Sequence, residues 1–382
     1  MIEEMRRELE GGLAFFLHNE GKNALIRDRA PGNPDLASIA SDGFALSAFA
    51  IAAHYGLASE KTMRREALKV LNGVMCLPKD HGFFHHFYDM NSGEAKEWTE
   101  ISNIDSALLY LGALTAGNYF GGECLEKAHA LVDAADWSYW AAPESRYLYM
   151  AKRKGTFFAY WQDYAEQLMI YVLAAGAENP AYRFPNRFYE DIAKPRVIYK
   201  GYSFIKSHTN GLFTHLYSQL YIPFQGKKDP TGIDWDENTR NAIKAHLAFT
   251  KEEKLVHRSY QEGWGLSACD GPQGYSGDYG AFPGEGKSDG TIATYAAIAC
   301  LPYEKEAALS AFLAYSKDEK LHCNFGLKDS FNLDVDWYAD GVIGIDKGIE
   351  MVAISDYLDQ FIWQTLAKER RITQGLLNLG IK

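Results

Sequence analysis

Apolar residues recur at helical spacing along nearly the whole chain. The recurrence predicts helices near residues 3–18, 36–55, 59–76, 103–117, 122–136, 162–176, 185–193, 208–222, 236–251, 289–300, 303–316 and 349–366. Neighbouring helices differ in character. Gly43–His54 and Ile104–Ala116 are apolar nearly all round, as buried helices are, whereas Lys61–Asn72 and Glu123–Asp136 confine their charges to one face. The same contrast separates Asp234–Thr250, of the outer type, from Thr291–Leu301, of the inner type. The connectors alternate as well. Those after the second, fourth, sixth, eighth and tenth helices are mostly tight, and those between them are longer, several beyond the ~12–15 residues at which a loop is usually functional or disordered. If successive helices run antiparallel, every long connector emerges at one end. The pattern therefore predicts an all-α (α/α)6 toroid, six inner helices sheathed by six outer ones, with long loops forming a cleft at one end. The fourth pair is weak, broken by Pro185 and Pro195, and an irregular α-solenoid with an open groove is the structural alternative. No linker-like or low-complexity stretch divides the chain, so residues 1–382 are read as one domain.

Composition narrows the function classes. The net charge of −11 is spread along the chain, which disfavours nucleic acid, because phosphate recognition wants a basic patch. No apolar run approaches the ~18 residues of a membrane span, and the first residues carry no apolar export core. Five cysteines, odd in number and without a C-x-x-C, suit free thiols; a cytoplasmic setting is expected. Trp98, Trp137, Trp140, Trp264 and Trp337 fall in the long connectors, with Trp161 at the edge of one. Aromatic faces beside acids and amides suit sugar rings, which offer C–H faces and hydroxyls together. The same rings also serve to pin loops to a rim.

Gly286-Lys287-Ser288 looks like the end of a phosphate loop, but Ala281 stands where the first glycine belongs and no strand precedes it. His81, His85 and His86, with Asp89 nearby, lack the helical spacing of a zinc motif, and neither metal nor cofactor is expected. The carboxylates carry more. Glu100 and Asp105 bracket the entry to an inner helix, where Ser102 is a candidate N-cap and Asp105 is either a structural acid or a ligand for a hydroxyl. Glu166 opens a segment that turns apolar. A lone acid there is costly unless used or paired, and burial would raise its pKa toward that of a general acid; the plain alternative is an acid favouring a helix N-terminus. Asp270 sits at a turn tip, Asp289 is at least an N-cap candidate, and Asp346 is flanked by glycines that let backbone approach a ligand. Glycosidic hydrolysis with inversion needs two carboxyl groups roughly 6.5–9.5 Å apart across the anomeric carbon, which acids from different mouth loops can supply.

At these same segments the chain resembles the bacterial glucoamylase-like (α/α)6 family that contains the endo-β-1,2-glucanases of glycoside hydrolase family 144. It is similar more distantly to the transglycosylase region of cyclic β-1,2-glucan synthases. The stretches that carry the resemblance run in order from Ser38-Ile-Ala and Gly43-Phe-Ala-Leu through Gly82-Phe-Phe-His-His-Phe-Tyr-Asp-Met, Glu100-Ile-Ser-Asn-Ile-Asp105 and Tyr164-Ala-Glu166 to Leu212-Phe-Thr-His215-Leu-Tyr217-Ser. They continue through Trp264-Gly-Leu-Ser-Ala-Cys-Asp270-Gly-Pro, Asp289-Gly-Thr-Ile-Ala, Gly326-Leu-Lys-Asp329-Ser-Phe-Asn332 and Gly344-Ile-Asp346. The resemblance implies an inverting glycosidase. The glutamate of the family's Tyr-Asn-Glu segment, associated with general-acid duty, falls on Glu166. Asp346, from the far side of the ring, is the preferred opposing acid, with Asp289 and Asp270 as competitors. Substrate contacts are expected from Asp105, Glu100, His85, Trp98, Trp161, Tyr164, His215, Tyr217, Trp264, Asp270, Asp289, Asp329 and Trp337.

The chain departs from its relatives at Gln219, Tyr221, Pro223 and Gln225, where they usually carry His, Trp, Asp and Arg, and at Lys347 and Ile349, where they carry Gln and Pro. Ala268 stands near the position of a glutamate of the synthase-type enzymes, so no retaining nucleophile is expected there. The leading expectation is hydrolysis of β-linked glucan or glucooligosaccharide, β-1,2 by analogy. A sugar epimerase, drawing a histidine pair from His85, His86, His208 and His215, and a carbohydrate-binding relative without catalysis are the alternatives. The partner expected is an oligo- or polysaccharide, with no nucleic acid and no membrane.

Overall fold

The computed structural model describes residues 2–142 and 144–382 and is helix-rich. Its helices are α1 (Glu3–His18), α2 (Ile39–His54), α3 (Glu60–Cys76), α4 (Asn103–Phe120), α5 (Gly122–Asp133), α6 (Leu168–Ala175), α7 (Arg187–Glu190) and α8 (Phe213–Tyr221). They continue with α9 (Trp235–Glu253), α10 (Ser259–Glu262), α11 (Thr294–Ile298), α12 (Lys305–Tyr315), α13 (Gly344–Asp359), α14 (Phe361–Leu366) and α15 (Arg370–Asn378).

The two sequence characters separate as expected. Almost every residue of α2, α4, α6 and α13 is buried, while α3, α5 and α9 bury one face. Glycine permits the closest packing in this layer. A Cβ on Gly112 of α4 would lie 1.9 Å from the Gly43 carbonyl oxygen, so α2 and α4 touch backbone to backbone. Helix α13 packs back against α2, bringing the end of the chain to its beginning.

The strands lie in the long connectors, between residues 19–38, 77–102, 134–167, 191–212, 263–293 and 316–343. Several pairs join different connectors. Arg29–Ala30 pairs with Val342–Ile343, Leu36–Ser38 with Phe87–Asp89, Ile101–Ser102 with Tyr149–Arg153, and Ile292–Ala293 with Ser330–Asn332. The first connector is thus stitched to both the second and the last. That stitching gathers the loops at one rim, where helical periodicity could give no hint of strands.

Other boundaries also differ from the periodicity. Helix α6 starts only at Leu168, because the preceding turn closes on itself: Gln167 accepts from the Ala165 amide (2.7 Å) and donates to the Asp163 carbonyl (2.7 Å). Glu166 therefore sits in a turn ahead of the helix, not one turn inside it. Residues 289–300 give only the short α11, since Ile292 and Ala293 are used in a strand ladder. The last predicted helix breaks at Gln360, whose φ is 61°. Asp356 accepts from the amides of Ile362 (2.9 Å) and Trp363 (3.2 Å), satisfying the start of α14 and ending α13.

Candidate active site

A cavity of about 690 Å³ opens at the stitched rim. Four connectors and two helix ends bring acids and bases to it: Asp28 and Arg29 from the first, His86 and Glu100 from the second, Asp105 at the start of α4, Glu166 from the third, Tyr217 of α8 and Tyr275 from the fifth. Ser102 caps α4 by accepting from the Asp105 amide (3.3 Å), which aims that first turn at the cavity.

Glu166 is held by its backbone. The Ser218 hydroxyl donates to its carbonyl and accepts from the Met169 amide (2.9 Å), fixing the turn to α8. Its carboxyl faces the cavity, and among the described residues no cation is paired with it. Burial, with Asp105 adding a like charge, pushes it up to about 7. Near neutral pH about half of these carboxyls hold a proton, and most do below it.

Two cations on the cavity wall are held by paired carboxylates. Burial opposes a charge on His86, but Asp105 at 3.8 Å and Glu100 at 3.2 Å outweigh it, and the imidazole is pushed up to about 9. His86 is thus an imidazolium stacked flat on Phe87, with ring centroids 3.8 Å apart. Arg29 bridges Asp28 (3.0 Å) and Asp270 (2.7 Å) and lies over the Tyr275 ring at 5.5 Å.

Asp346 does not line the cavity. It lies in a small closed space beside it, 3% exposed, together with Asp329 and Glu350. Asp329 Oδ2 accepts from the Asp270 amide (2.8 Å) and the Ser330 hydroxyl (3.3 Å). Asp329 Oδ1 and Asp346 Oδ2 find no donor among the described residues. Burial raises both carboxyls; the like charge of Asp270 adds to the rise at Asp329, whose bond to Asp346 works the other way, while Asp329 raises Asp346 by its charge and by that bond. A bond between two carboxyls needs a proton on one of them, and the opposite shifts it causes favour the proton on Asp346 and the charge on Asp329. The Tyr217 hydroxyl lies in the field of Asp346, Glu166 and Asp105 at once, which places the buried pair just behind the cavity wall.

Of the other residues expected from sequence, Glu100, Asp105, Trp161 and Tyr217 line the cavity, and Asp270 reaches it through Arg29. Trp161 is 4% exposed, and its indole N–H donates to Asn103 (3.1 Å). The rest lie elsewhere. Tyr164 is stacked on Trp235 (4.9 Å) behind the wall and bonds His215 (3.3 Å), whose burial lowers it to about 3. Both rings are taken up by the core. Trp264 packs on His246 and donates to the Ala307 carbonyl (3.3 Å), on the side of α12. Asp289 is paired with Lys287 (2.7 Å) and accepts from the Thr291 amide, a loop-fixing role. Trp337 belongs to a strand paired with Asn332, and His85 borders Tyr88; neither reaches the cavity. Trp98 is 56% exposed and leans on Phe87 from outside.

Arg29, Asp28, His86 and Tyr275 are cavity residues that sequence reasoning missed or left unassigned. His86 lay in a singled-out histidine run, but nothing local told it from His85. The histidines of that run diverge: His81 stacks on Tyr139 and bonds Asp80, while His86 turns to Glu100 and Asp105.

Comparison with known proteins follows from this geometry. The family model described as "Putative glucoamylase" (Glycoamylase) matches residues 159–370, more than half of the chain. The chain is 22% identical over 408 aligned positions to an exo β-1,2-glucooligosaccharide sophorohydrolase (non-reducing end) of Parabacteroides distasonis, covering 94% of this chain and 55% of that protein. It therefore spans about half the length of that curated relative. Among solved structures, an endo-β-1,2-glucanase of Chitinophaga pinensis, in complex with sophorotriose and glucose, superposes with a TM-score of 0.91 at 21% identity, covering 99% of this chain and 97% of that one. A β-1,2-glucanase of Parabacteroides distasonis gives 0.91 at 21% identity, covering 100% and 60%. At such identities the likeness establishes the fold.

Proposed function

The chain belongs to the glycoamylase family, and on that premise we propose that it is a glycoside hydrolase of β-linked glucooligosaccharides, β-1,2-linked first. In this reading residues 1–382 form one catalytic (α/α)6 unit of six inner and six outer helices. The observation that carries the reading is Glu166, its pKa pushed up by burial, open to a cavity with the Asp329/Asp346 carboxyl pair behind its wall.

Glu166 gives its proton to the glycosidic oxygen as the bond to the anomeric carbon breaks. Water attacks that carbon from the opposite face, and its proton reaches the Asp329/Asp346 pair behind the wall by way of a substrate hydroxyl, giving inversion. One proton leaves Glu166 and one arrives at the pair, so solvent need only return a proton from one to the other between turnovers. A buried dyad holding one proton is a competent base of this kind. The imidazolium of His86, kept charged by Glu100 and Asp105, offers a hydrogen bond to sugar hydroxyls and does not serve as base at neutral pH. Sugar isomerisation would want a histidine pair at the substrate; His86 is the histidine among the described residues that lines the cavity.

The test is product analysis on β-1,2-, β-1,3- and β-1,4-glucans with the wild type and Glu166→Gln. Release of short β-1,2-glucosides is expected, reduced ~10²–10⁴-fold in the variant. Wild-type kcat should fall above pH about 7, as Glu166 loses its proton. Unchanged turnover by Glu166→Gln would remove the acid assignment, and no cleavage of any β-glucan would remove the hydrolase reading.

A further inference from the structure

Two arginines line the cavity, Arg29 and Arg153, and Arg29 joins the segments on which the buried carboxyls depend. Arg29 Nε bonds Asp28 Oδ2 at 3.0 Å, and Nη1 bonds Asp270 Oδ1 at 2.7 Å. Each contact leads to one member of the pair. Asp270 turns its own amide onto Asp329 Oδ2 (2.8 Å) and its carbonyl onto the Ser330 hydroxyl (2.6 Å), so the residue that meets Arg29 by its side chain positions Asp329 by its backbone. On the other side, Arg29 pairs with Ile343 in a two-residue ladder, and the Asp28 carbonyl accepts from the Gly344 amide (2.7 Å). Gly344 is the first residue of α13, and Asp346 lies in its first turn. The guanidinium also covers Tyr275, on the hairpin Cys269–Ser276 that forms part of the cavity wall.

We infer that Arg29 is a positioning residue for the hydrolysis: acting through Asp270 and the strand to Ile343, it holds Asp329 and Asp346 in register with each other and with the cavity. This rests on the hydrolase reading above. The proximity also has an electrostatic consequence. The groups facing Asp346 are Asp329, Asp270, Tyr217, Tyr275, Tyr295, Cys269 and Arg29, with Glu350 and Lys347 lining the same small space; Lys347 is paired with Glu8 and Glu350, and Arg29 is the cation that acts on Asp346. It also acts on Asp329. A cation there favours ionisation of one carboxyl of the pair, which is the form a base requires.

The experiment compares Arg29→Met and Arg29→Lys with wild type, measuring kcat and KM from pH 4 to 9 on whichever glucan the wild type cleaves. Arg29→Met is expected to lose kcat ~10²-fold or more, with KM changed much less. Its acid limb should move up by about 1–3 pH units, because removing a nearby cation makes the pair take its second proton more readily. Arg29→Lys keeps the charge but cannot fork to Asp28 and Asp270 together. Its acid limb should stay near that of wild type while kcat falls ~10-fold. A rise in KM alone, with the acid limb unmoved in the Met variant, would make Arg29 a plain substrate contact and overturn the inference. Should the Met variant not fold, the Lys variant decides: wild-type kcat and KM together overturn the inference, and reduced kcat with an unmoved limb upholds it. A wild type that cleaves no glucan fails the hydrolase reading instead, a result separable from these.

Discussion

Glu166 and the Asp329/Asp346 pair are carboxyls raised above their ordinary range by loss of water, but their settings differ. Glu166 stands alone in a turn, opens on the cavity, and owes its shift to enclosure with a distant like charge. Asp329 and Asp346 are sealed behind the wall; burial raises both, with Asp270 adding to the rise at Asp329 and Asp329 to that at Asp346. A solitary acid gives one proton with one pKa, whereas a pair titrates as a unit and can keep one proton while accepting another. Burial alone therefore does not assign a role. The same desolvation makes a donor where the carboxyl is single and an acceptor where it is doubled.

The comparison breaks most sharply under a double-mutant cycle. Asp329→Asn and Asp346→Asn should each lower kcat ~10²–10⁴-fold, and the double variant should lose little more than the worse single. Glu166→Gln combined with either should compound toward the same uncatalysed floor. If the two Asn variants instead multiply as independent losses, the pair is not a functional unit and the contrast drawn above fails. The pH profiles sharpen it further: the pair variants should erase the acid limb, and Glu166→Gln the basic one.

A smaller effect separates the two centres by stability. Glu166 has its folded pKa raised, so the folded state holds that proton more tightly than the unfolded chain. The stability so gained is present at low pH and is lost as pH rises from about 4.5 through about 7. Glu166→Gln removes the ionisation, so its Tm should exceed that of wild type at pH 8 and approach it at pH 5. At the pair, Asp346→Asn removes one proton-sharing partner but leaves an amide that can donate to Asp329, and its Tm advantage at pH 8 should be larger. Melting curves at the two pH values check both. A Glu166→Gln variant less stable than wild type at pH 8 would show that the carboxyl is paired in solution after all.

How far the sequence reached follows the same division between local and distant causes. Glu166 was legible because a single acid ahead of an apolar helix is a local anomaly, and the cap of α4 was legible because Ser102 precedes its helix directly. The inner and outer character of α2 and α3 was legible from periodicity. The partnership of Asp329 with Asp346 was not, since it depends on two connectors meeting in space. Arg29 was invisible for the same reason. Its ladder to Ile343 is two residues long and joins opposite ends of the chain, and its other partner, Asp270, lies beyond any local window. Helical periodicity also misplaced the start of α6, because the Gln167 side chain replaces a helical turn with bonds of its own.

The tryptophans give the smallest test, and the one on which sequence was least able to choose. Trp98, Trp161 and Trp264 look alike as loop aromatics, yet their surroundings differ. Trp161 joins the cavity wall near Glu166 and spends its N–H on Asn103, whose own amide donates to the Tyr149 carbonyl (2.8 Å). Trp161→Phe therefore loses one buried hydrogen bond, roughly 1 kcal/mol, and should lower kcat/KM about fivefold if the acid's wall shifts with it. Trp264→Phe loses a comparable bond on the side of α12, so stability should fall while kcat/KM stays level. Trp98 is mostly in solvent and its ring makes no hydrogen bond among the described residues, so Trp98→Ala should change stability by no more than about 0.5 kcal/mol and kcat/KM by less than about twofold. A large loss of kcat/KM in Trp98→Ala, at unchanged Tm, would mean that the glucan extends past the cavity mouth over Phe87, and the wall around His86 would then bind more of the substrate than the wall that carries Glu166.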